Sequence, residues 1–238
     1  MPAVNTMTAA LTLLPALDWA AVVLFFTAWV AYATWAKRRG ADHPTLLAVT
    51  NLERRRWMLA TTTRDNRVLD AIVTQNLSTS PQFFASTTIL IIGGLLAVLS
   101  TTEKASELVA EIPFAARTSA LVFDLKVALL TAIFVYAFFR FTWSLRQYSF
   151  GVLLVASAPE PKAMEGDAAA REAFADRAGQ VMGLAAETFN DGLRAYYMAF
   201  AATAWFFSAW AMLVATAVVL TVLYRREFGS EVLAVLRR

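Results

Sequence analysis

Long apolar runs alternate with charged stretches along this chain, and the alternation predicts its elements. Trp19–Ala36 is uncharged and stops at Lys37, Arg38 and Arg39. Phe83–Leu99, Ala120–Phe139 and Ala195–Tyr224 are three further apolar runs. A helix needs ~20 such residues to cross a ~30 Å hydrocarbon core, and all four runs qualify once tilt and flanks are allowed for. Ser80 and Pro81 precede the second run. They fit an N-cap and a first helical position, so the second span is expected to start there.

The third run meets Arg140, Arg146 and Gln147 and then turns apolar again, with no helix breaker before Pro159. An unbroken helix over 120–158 would be roughly 58 Å long at ~1.5 Å per residue. About half of it would project beyond the bilayer. Arg140, Ser144, Gln147 and Gly151 recur at helical spacing as a polar or small stripe, and Tyr148, Val152 and Val155 fall on another side. Two amphipathic segments offer partners. Segment 44–77 carries apolar Leu52, Leu59, Leu69, Ile72 and Val73, with Arg56, Thr63, Arg67, Asp70 and Thr74 on one polar line. Segment 168–193 carries Phe174, Ala178, Val181, Ala185 and Phe189, and Asp167 can cap its start. The expected fold is all-α and a single domain over 1–238. Its four transmembrane helices, at about 19–36, 83–99, 120–139 and 195–224, extend into a cytoplasmic helical bundle built from about 44–77, 140–158 and 168–193.

Loop charge sets the expected orientation. Lys and Arg number eight in 37–80, six in 140–194 and two in 101–119, where three Glu also lie. The first two segments are therefore expected in the cytoplasm, with both termini outside. The basic tail with Arg225, Arg226, Arg237 and Arg238 runs against that placement. No Lys or Arg precedes the first apolar run, so a secretory signal is not expected there. Trp35, Trp143, Tyr196 and Tyr197 fall near the inner interface, and Trp19 and Tyr224 near the outer one.

Composition agrees with a membrane protein. The chain of 238 residues is 58% hydrophobic and 16% charged, against about 25% charged in soluble domains. It has no Cys and a single His, His43. That excludes disulfides, thiolate catalysis and multi-His metal sites within one chain. His43 lies between Asp42 and Pro44, in an expected turn. No cofactor, metal, catalytic residue or nucleic-acid partner is expected.

Phe141-Thr-Trp-Ser-Leu-Arg-Gln147, the Ala158-Pro159 pair, the run RDNRVLD at 64–70 and SPQFFASTTILIIGGLLAVL at 80–99 together resemble an uncharacterised bacterial and plant membrane family, domain of unknown function 599. The resemblance spans roughly 15–225. It implies a four-span membrane protein and carries over no ligand or activity.

Several side chains are candidates for function, each with a plainer reading beside it. Asp124 and Lys126 lie within the third span. Two residues apart, they cannot pair well with each other. An intramembrane carboxylate is a functional candidate, and a structural pair with Arg225 or Arg226 is its plainer role. Lys126 is expected to snorkel outward. Phe83 and Phe84 follow a polar stretch and precede Ser86 and Thr87. They could gate a pore by dewetting, or the hydroxyls could bond their own helix. Arg54, Arg55, Arg56, Arg140 and Arg146 suit an anionic inner leaflet or the mouth of an anion path, and Arg64, Asp65, Arg67 and Asp70 suit an ion network. Small residues at 201, 204, 208, 211 and 215, and Gly93 with Ala97, would let helices approach within one chain or between copies. These features lead to two functional expectations. One is a homo-oligomeric inner-membrane channel or transporter for a small ion or solute. The other is a non-catalytic scaffold or accessory subunit that binds a partner through its cytoplasmic helices.

Overall fold

The computed structural model describes residues 14–42, 45–111, 113 and 118–237, and all regular structure among them is helical. The helices are α1 (Ala16–Asp42), α2 (Leu46–Thr61), α3 (Val68–Ser100), α4 (Thr102–Ala110), α5 (Ala120–Ala156), α6 (Ala168–Thr203), α7 (Ala209–Phe228) and α8 (Glu231–Leu236). Short 3₁₀ turns occupy Pro161–Met164 and Ala204–Phe206. Four stretches are long and apolar enough to cross a membrane: Ala16–Gly40, Val68–Ser100, Ala120–Ala156 and Ala209–Leu236. The chain is thus a multi-pass membrane protein by the length and composition of its helices. The apolar window of α5 is 39% buried by the rest of the chain, that of α7 22% and those of α1 and α3 11%, so α5 is the most packed of the four.

Three boundaries differ from the sequence expectation. α3 runs through Pro81 instead of starting there. Its first amide, Val68 N, donates to Asn66 Oδ1 at 2.9 Å. The helix is already under way by position 81, where proline costs one backbone hydrogen bond. Segment 44–77 is split, with α2 ending at Thr61 and α3 starting at Val68. The expected span 195–224 is interrupted: α6 ends at Thr203, and α7 starts at Ala209 behind a cap in which Ala211 N donates to Ser208 Oγ at 3.0 Å. The small residues at 201, 204, 208, 211 and 215 therefore lie on two helices and the turn between them. A Cβ built on Gly93 meets nothing within 4 Å, so Gly93 makes no close helix approach among the described residues. His43 lies outside the described residues. α5, by contrast, passes Arg140 and Trp143 without a break.

The chain forms two compact units. The first comprises Met1–Arg38, Leu90–Val135 and Ala195–Leu223, and the second Arg39–Ile89, Tyr136–Arg194 and Tyr224–Arg238. The first unit buries Phe25 of α1, Val127 and Ile133 of α5, and Met198, Trp205 and Met212 of the chain's last third. Phe123 meets Phe206 edge-on with centroids 5.6 Å apart, and Phe134 meets Tyr196 at 5.2 Å.

The second unit has a continuous core of Met58, Tyr148, Val155, Met164, Phe174 and Met182, closed by Ala175, Ala178 and Ala185. Each fully buried Met or Phe contributes about 1.5–3 kcal/mol. On α6 the buried Phe174, Ala178 and Ala185 keep the expected helical spacing, and Ala170 N donates to Asp167 Oδ1 at 2.9 Å as the cap. On α3 the expected faces are exchanged. Asp70 and Thr74 are fully buried, while Leu69 and Ile72 are 60% and 52% exposed. Burial of the carboxylate is made possible by donors on α2 and the turn: Trp57 Nε1 at 2.7 Å, Thr61 Oγ1 at 3.2 Å and Arg64 Nη1. Arg67 Nη1 donates to Ala158 O at 2.5 Å and Nη2 to Pro159 O, so this guanidinium holds the chain just beyond the end of α5. α8 packs on α2, whose Leu47 N donates to Glu227 Oε1 at 3.4 Å.

Candidate functional site

In the first unit the chemistry gathers where α6 gives way to α7. A helix end leaves main-chain carbonyls without intrahelical donors, and the 3₁₀ turn at Ala204–Phe206 is such an end. The Lys126 ammonium, on a residue only 2% exposed, donates to Trp205 O at 2.9 Å. It lies 5.4 Å from the Trp205 ring centroid and 5.7 Å from that of Phe206, within the range of cation–π attraction. Trp205 Nε1 in turn donates to Asp18 Oδ1, in the first turn of α1, at 2.6 Å. Lys126 thus does not snorkel to the interface. A carbonyl and two ring faces hold it inside. Asp18 and Trp205 were not read as site residues. An Asp in the first turn of an apolar helix is the sequence signal that marks them, because such a carboxylate needs a donor.

Asp124 and Lys126 make no pair, as their spacing requires. Asp124 Oδ1 accepts from Thr102 Oγ1 at 2.5 Å. Neither Arg225 nor Arg226 is its partner among the described residues, and Arg226 Nη2 instead lies 3.5 Å from Asn190 Oδ1. Thr102 opens α4, so the carboxylate is spent on fixing the start of a short helix.

In the second unit the phenylalanine pair divides. Phe83 is 64% exposed on the outside of the chain. Phe84 is half-buried, stacks on Phe141 at 5.3 Å and meets Phe189 at 5.8 Å. Ser86 is exposed, and Thr87 Oγ1 donates to Phe83 O at 2.9 Å along its own helix. Gly192 makes room for the Phe141 ring, which a Cβ at that position would strike.

The α5 stripe meets α6. Ser144 Oγ donates to Ala185 O at 2.7 Å, Gly151 packs on Met182, and Arg140 pairs with Asp191. Arg194 Nη1 reaches the other Asp191 oxygen at 3.0 Å, so one carboxylate that is 90% buried serves two arginines. Removing one member of such a buried group strands the others and costs about 3–5 kcal/mol. Arg146 is exposed and lies over the Phe150 ring at 5.3 Å.

α2 and α6 approach across Gly179 and Gly183. A Cβ on Gly179 would come within 2.9 Å of Arg55 Cα, and one on Gly183 within 3.1 Å of Asn51 Oδ1. This glycine pair at i, i+4 is a close-packing signal legible in the sequence and not used there. Beside it lies an open groove of about 460 Å³ bordered by Asn51, Leu52, Arg55, Gln180 and Glu187. Arg55 pairs with Glu172 and Asp176 across it, and those hydrogen bonds, Asp176 first, raise the guanidinium above its ordinary pKa. Arg56 Nη1 pairs with Glu53 at 2.6 Å.

No group of three or more His, Asp or Glu able to hold a metal ion occurs among the described residues. No curated protein and no solved structure significantly matches the chain. Residues 20–232 match the family described as protein of unknown function, DUF599, and with nearly its whole length covered the chain belongs to that family.

Proposed function

We propose that this is a bacterial inner-membrane channel or transporter for a small ion or solute, working as a homo-oligomer and without catalytic chemistry of its own. The observation that carries this reading is Lys126. A buried ammonium in an apolar helix is costly and serves as a functional candidate by default. Here it sits against the carbonyl of an interrupted helix, the kind of backbone that coordinates cations in transporters. Aromatic packing fills the chain around Phe84, so a passage would run between copies, where the exposed Phe83 is the ring available to gate it.

The test is flux. Wild type and Lys126→Met, reconstituted in liposomes under an imposed potential, are assayed against several cations and anions. We expect flux in wild type and its loss in the variant at equal protein incorporation. Equal flux in both would remove Lys126 from the pathway, and silence in wild type, with a monomer by light scattering, would remove the transport reading. The α2–α6 groove supports the alternative of a scaffold or accessory subunit that binds a protein partner there.

Orientation is part of the proposal. Sixteen of the 21 Lys and Arg belong to the second unit, which supports a cytoplasmic position for it. Residues 224–238 are in that unit. We therefore place the C-terminus in the cytoplasm, in place of the outside position expected from an even number of spans. The exposed Trp35, Trp143 and Arg146 supply contacts to the bilayer interface.

A further inference from the structure

The groove of about 460 Å³ beside the α2–α6 crossing is built from two helices of the second unit. Gly179 and Gly183 line its floor, where a Cβ at either would press on α2. Leu52 of α2 and Leu184 of α6 border it, and both are more than half exposed. The chain thus leaves an apolar pair uncovered across the two walls. At one end the charge is unbalanced. Glu172 and Asp176, each about half exposed, share the single guanidinium of Arg55, which leaves one net negative charge there. A groove of this make fits a helix that offers apolar side chains at i, i+3 and i+4 and a cation beyond them.

The same unit carries such a helix. α8 packs on α2 and buries Leu233. Its other large apolar residues, Val232, Val235 and Leu236, stand at i, i+3 and i+4 and are exposed, so they share one face. Arg237 and Arg238 follow directly in the sequence. The groove is bordered by α2 and α6 residues and not by α8. With Leu233 buried, the three exposed side chains turn away from the chain that carries them. An anionic lipid surface is the other cover for a basic apolar helix, but it does not suit a groove whose excess charge is negative.

We propose that the α2–α6 groove receives α8 of a second copy of the chain. Val232, Val235 and Leu236 of one protomer cover Leu52 and Leu184 of the other, and the arginines after α8 meet the Glu172–Asp176 end. α8 and the groove both border α2. A two-fold axis beside that helix therefore makes the same contact twice, as an isologous dimer requires. The proposal rests on the homo-oligomeric part of the transport reading and names its interface. A different protein in the same groove belongs to the scaffold alternative.

The chain has no Cys, so introduced thiols report without background. Gln180→Cys and Val235→Cys are placed in two separately tagged copies, co-expressed and oxidised in the membrane. Leu69→Cys, at an exposed position of α3 outside the groove, replaces Gln180→Cys as the control. A disulfide needs Cα atoms within about 7 Å, so the 180–235 pair should give a cross-linked species carrying both tags, at least about tenfold above the 69–235 pair. Light scattering of the full chain in an uncharged detergent should give a dimer. Arg237→Glu and Asp176→Lys should each weaken dimerisation about tenfold through like-charge contact, and both together in one chain should restore it. That restoration separates docking from mere loss of the Arg55 pair. Arg237→Glu and the cross-link carry the test if Asp176→Lys does not fold. A dimer without the 180–235 cross-link overturns this interface and leaves the homo-oligomeric reading standing, whereas a monomer overturns both. A 180–235 disulfide that forms only within one chain carrying both thiols returns α8 to its own groove and overturns the proposal. A cross-linked dimer that is silent in the flux assay upholds the interface and removes transport alone.

Discussion

The Lys126 ammonium lies 2.9 Å from the main-chain oxygen of Trp205, at the turn that separates α6 from α7. A single contact thus ties the second turn of α5 to the turn that follows α6. The same tryptophan reaches Asp18 through its indole N–H at 2.6 Å, so three helices depend on one residue.

The two ends of this chain of contacts should respond differently to mutation. Lys126→Met keeps the apolar stem, relieves a buried charge and leaves one carbonyl orphaned. The relief and the loss oppose each other at about 1–3 kcal/mol each. Stability in detergent should therefore change by no more than about 1 kcal/mol. Trp205→Phe removes the donor to Asp18 with no such compensation and should cost about 1–3 kcal/mol. Chemical denaturation of both variants checks this. A drop of more than about 3 kcal/mol in Lys126→Met would make the lysine chiefly structural.

Asp124 gives a second test. A carboxylate paired with a buried arginine would make Asp124→Asn severely destabilising. Its partner here is the Thr102 hydroxyl at 2.5 Å, and an asparagine oxygen accepts that bond as well. Asp124→Asn should cost less than about 1 kcal/mol, and Thr102→Val, which strands the carboxylate, about 1–3 kcal/mol. Melting curves for the pair decide it, and the reverse ranking would restore a cationic partner.

Glycines at two helix contacts should differ for a reason visible in their neighbours. A Cβ on Gly179 meets the Arg55 backbone at 2.9 Å, whereas one on Gly151 meets Met182 Sδ at 2.5 Å. Backbone cannot step aside, and a thioether can. Gly179→Ala should therefore lose about 1–3 kcal/mol to overpacking. In Gly151→Ala the helix-propensity gain of about 0.8–1.0 kcal/mol offsets most of the strain. Equal melting temperatures for the two would show that α2 and α6 slide apart freely.

How much of this was legible depended on whether the signal was local. The long α5 followed from the absence of any breaker between Ala120 and Pro159, and the α6 core face from the spacing of Phe174, Ala178 and Ala185. Position 81 misled because proline is equally at home at a helix start and tolerated deep in a membrane helix. The break at Ala204–Phe206 lies in an apolar run with neither Gly nor Pro, so composition could not show it. The reversed faces of α3 needed knowledge of Trp57, Thr61 and Arg64 on a neighbouring segment. A buried Asp is readable only when its donors are known. At the candidate site, Lys126 was visible as an intramembrane charge, but its partners are a backbone atom and an indole far away in sequence.

Topology gives the last prediction. The chain changes unit after residues 38, 89, 135, 194 and 223. An odd count leaves the start of α1 with the first unit and α8 with the second. Four apolar stretches account for four of these passages. The fifth falls in α6, between Arg194 and Ala195, where Asp191 has already neutralised one of two arginines. With the C-terminal residues beside the other basic segments, Arg225 and Arg226 stop being exceptions to the positive-inside rule. Reporter fusions at Ser106, at Glu160 and after Arg237 discriminate the arrangements. We expect Ser106 outside and the other two in the cytoplasm. A C-terminal reporter on the same side as Ser106 would restore four passes with both termini outside, and α6 would then end without crossing.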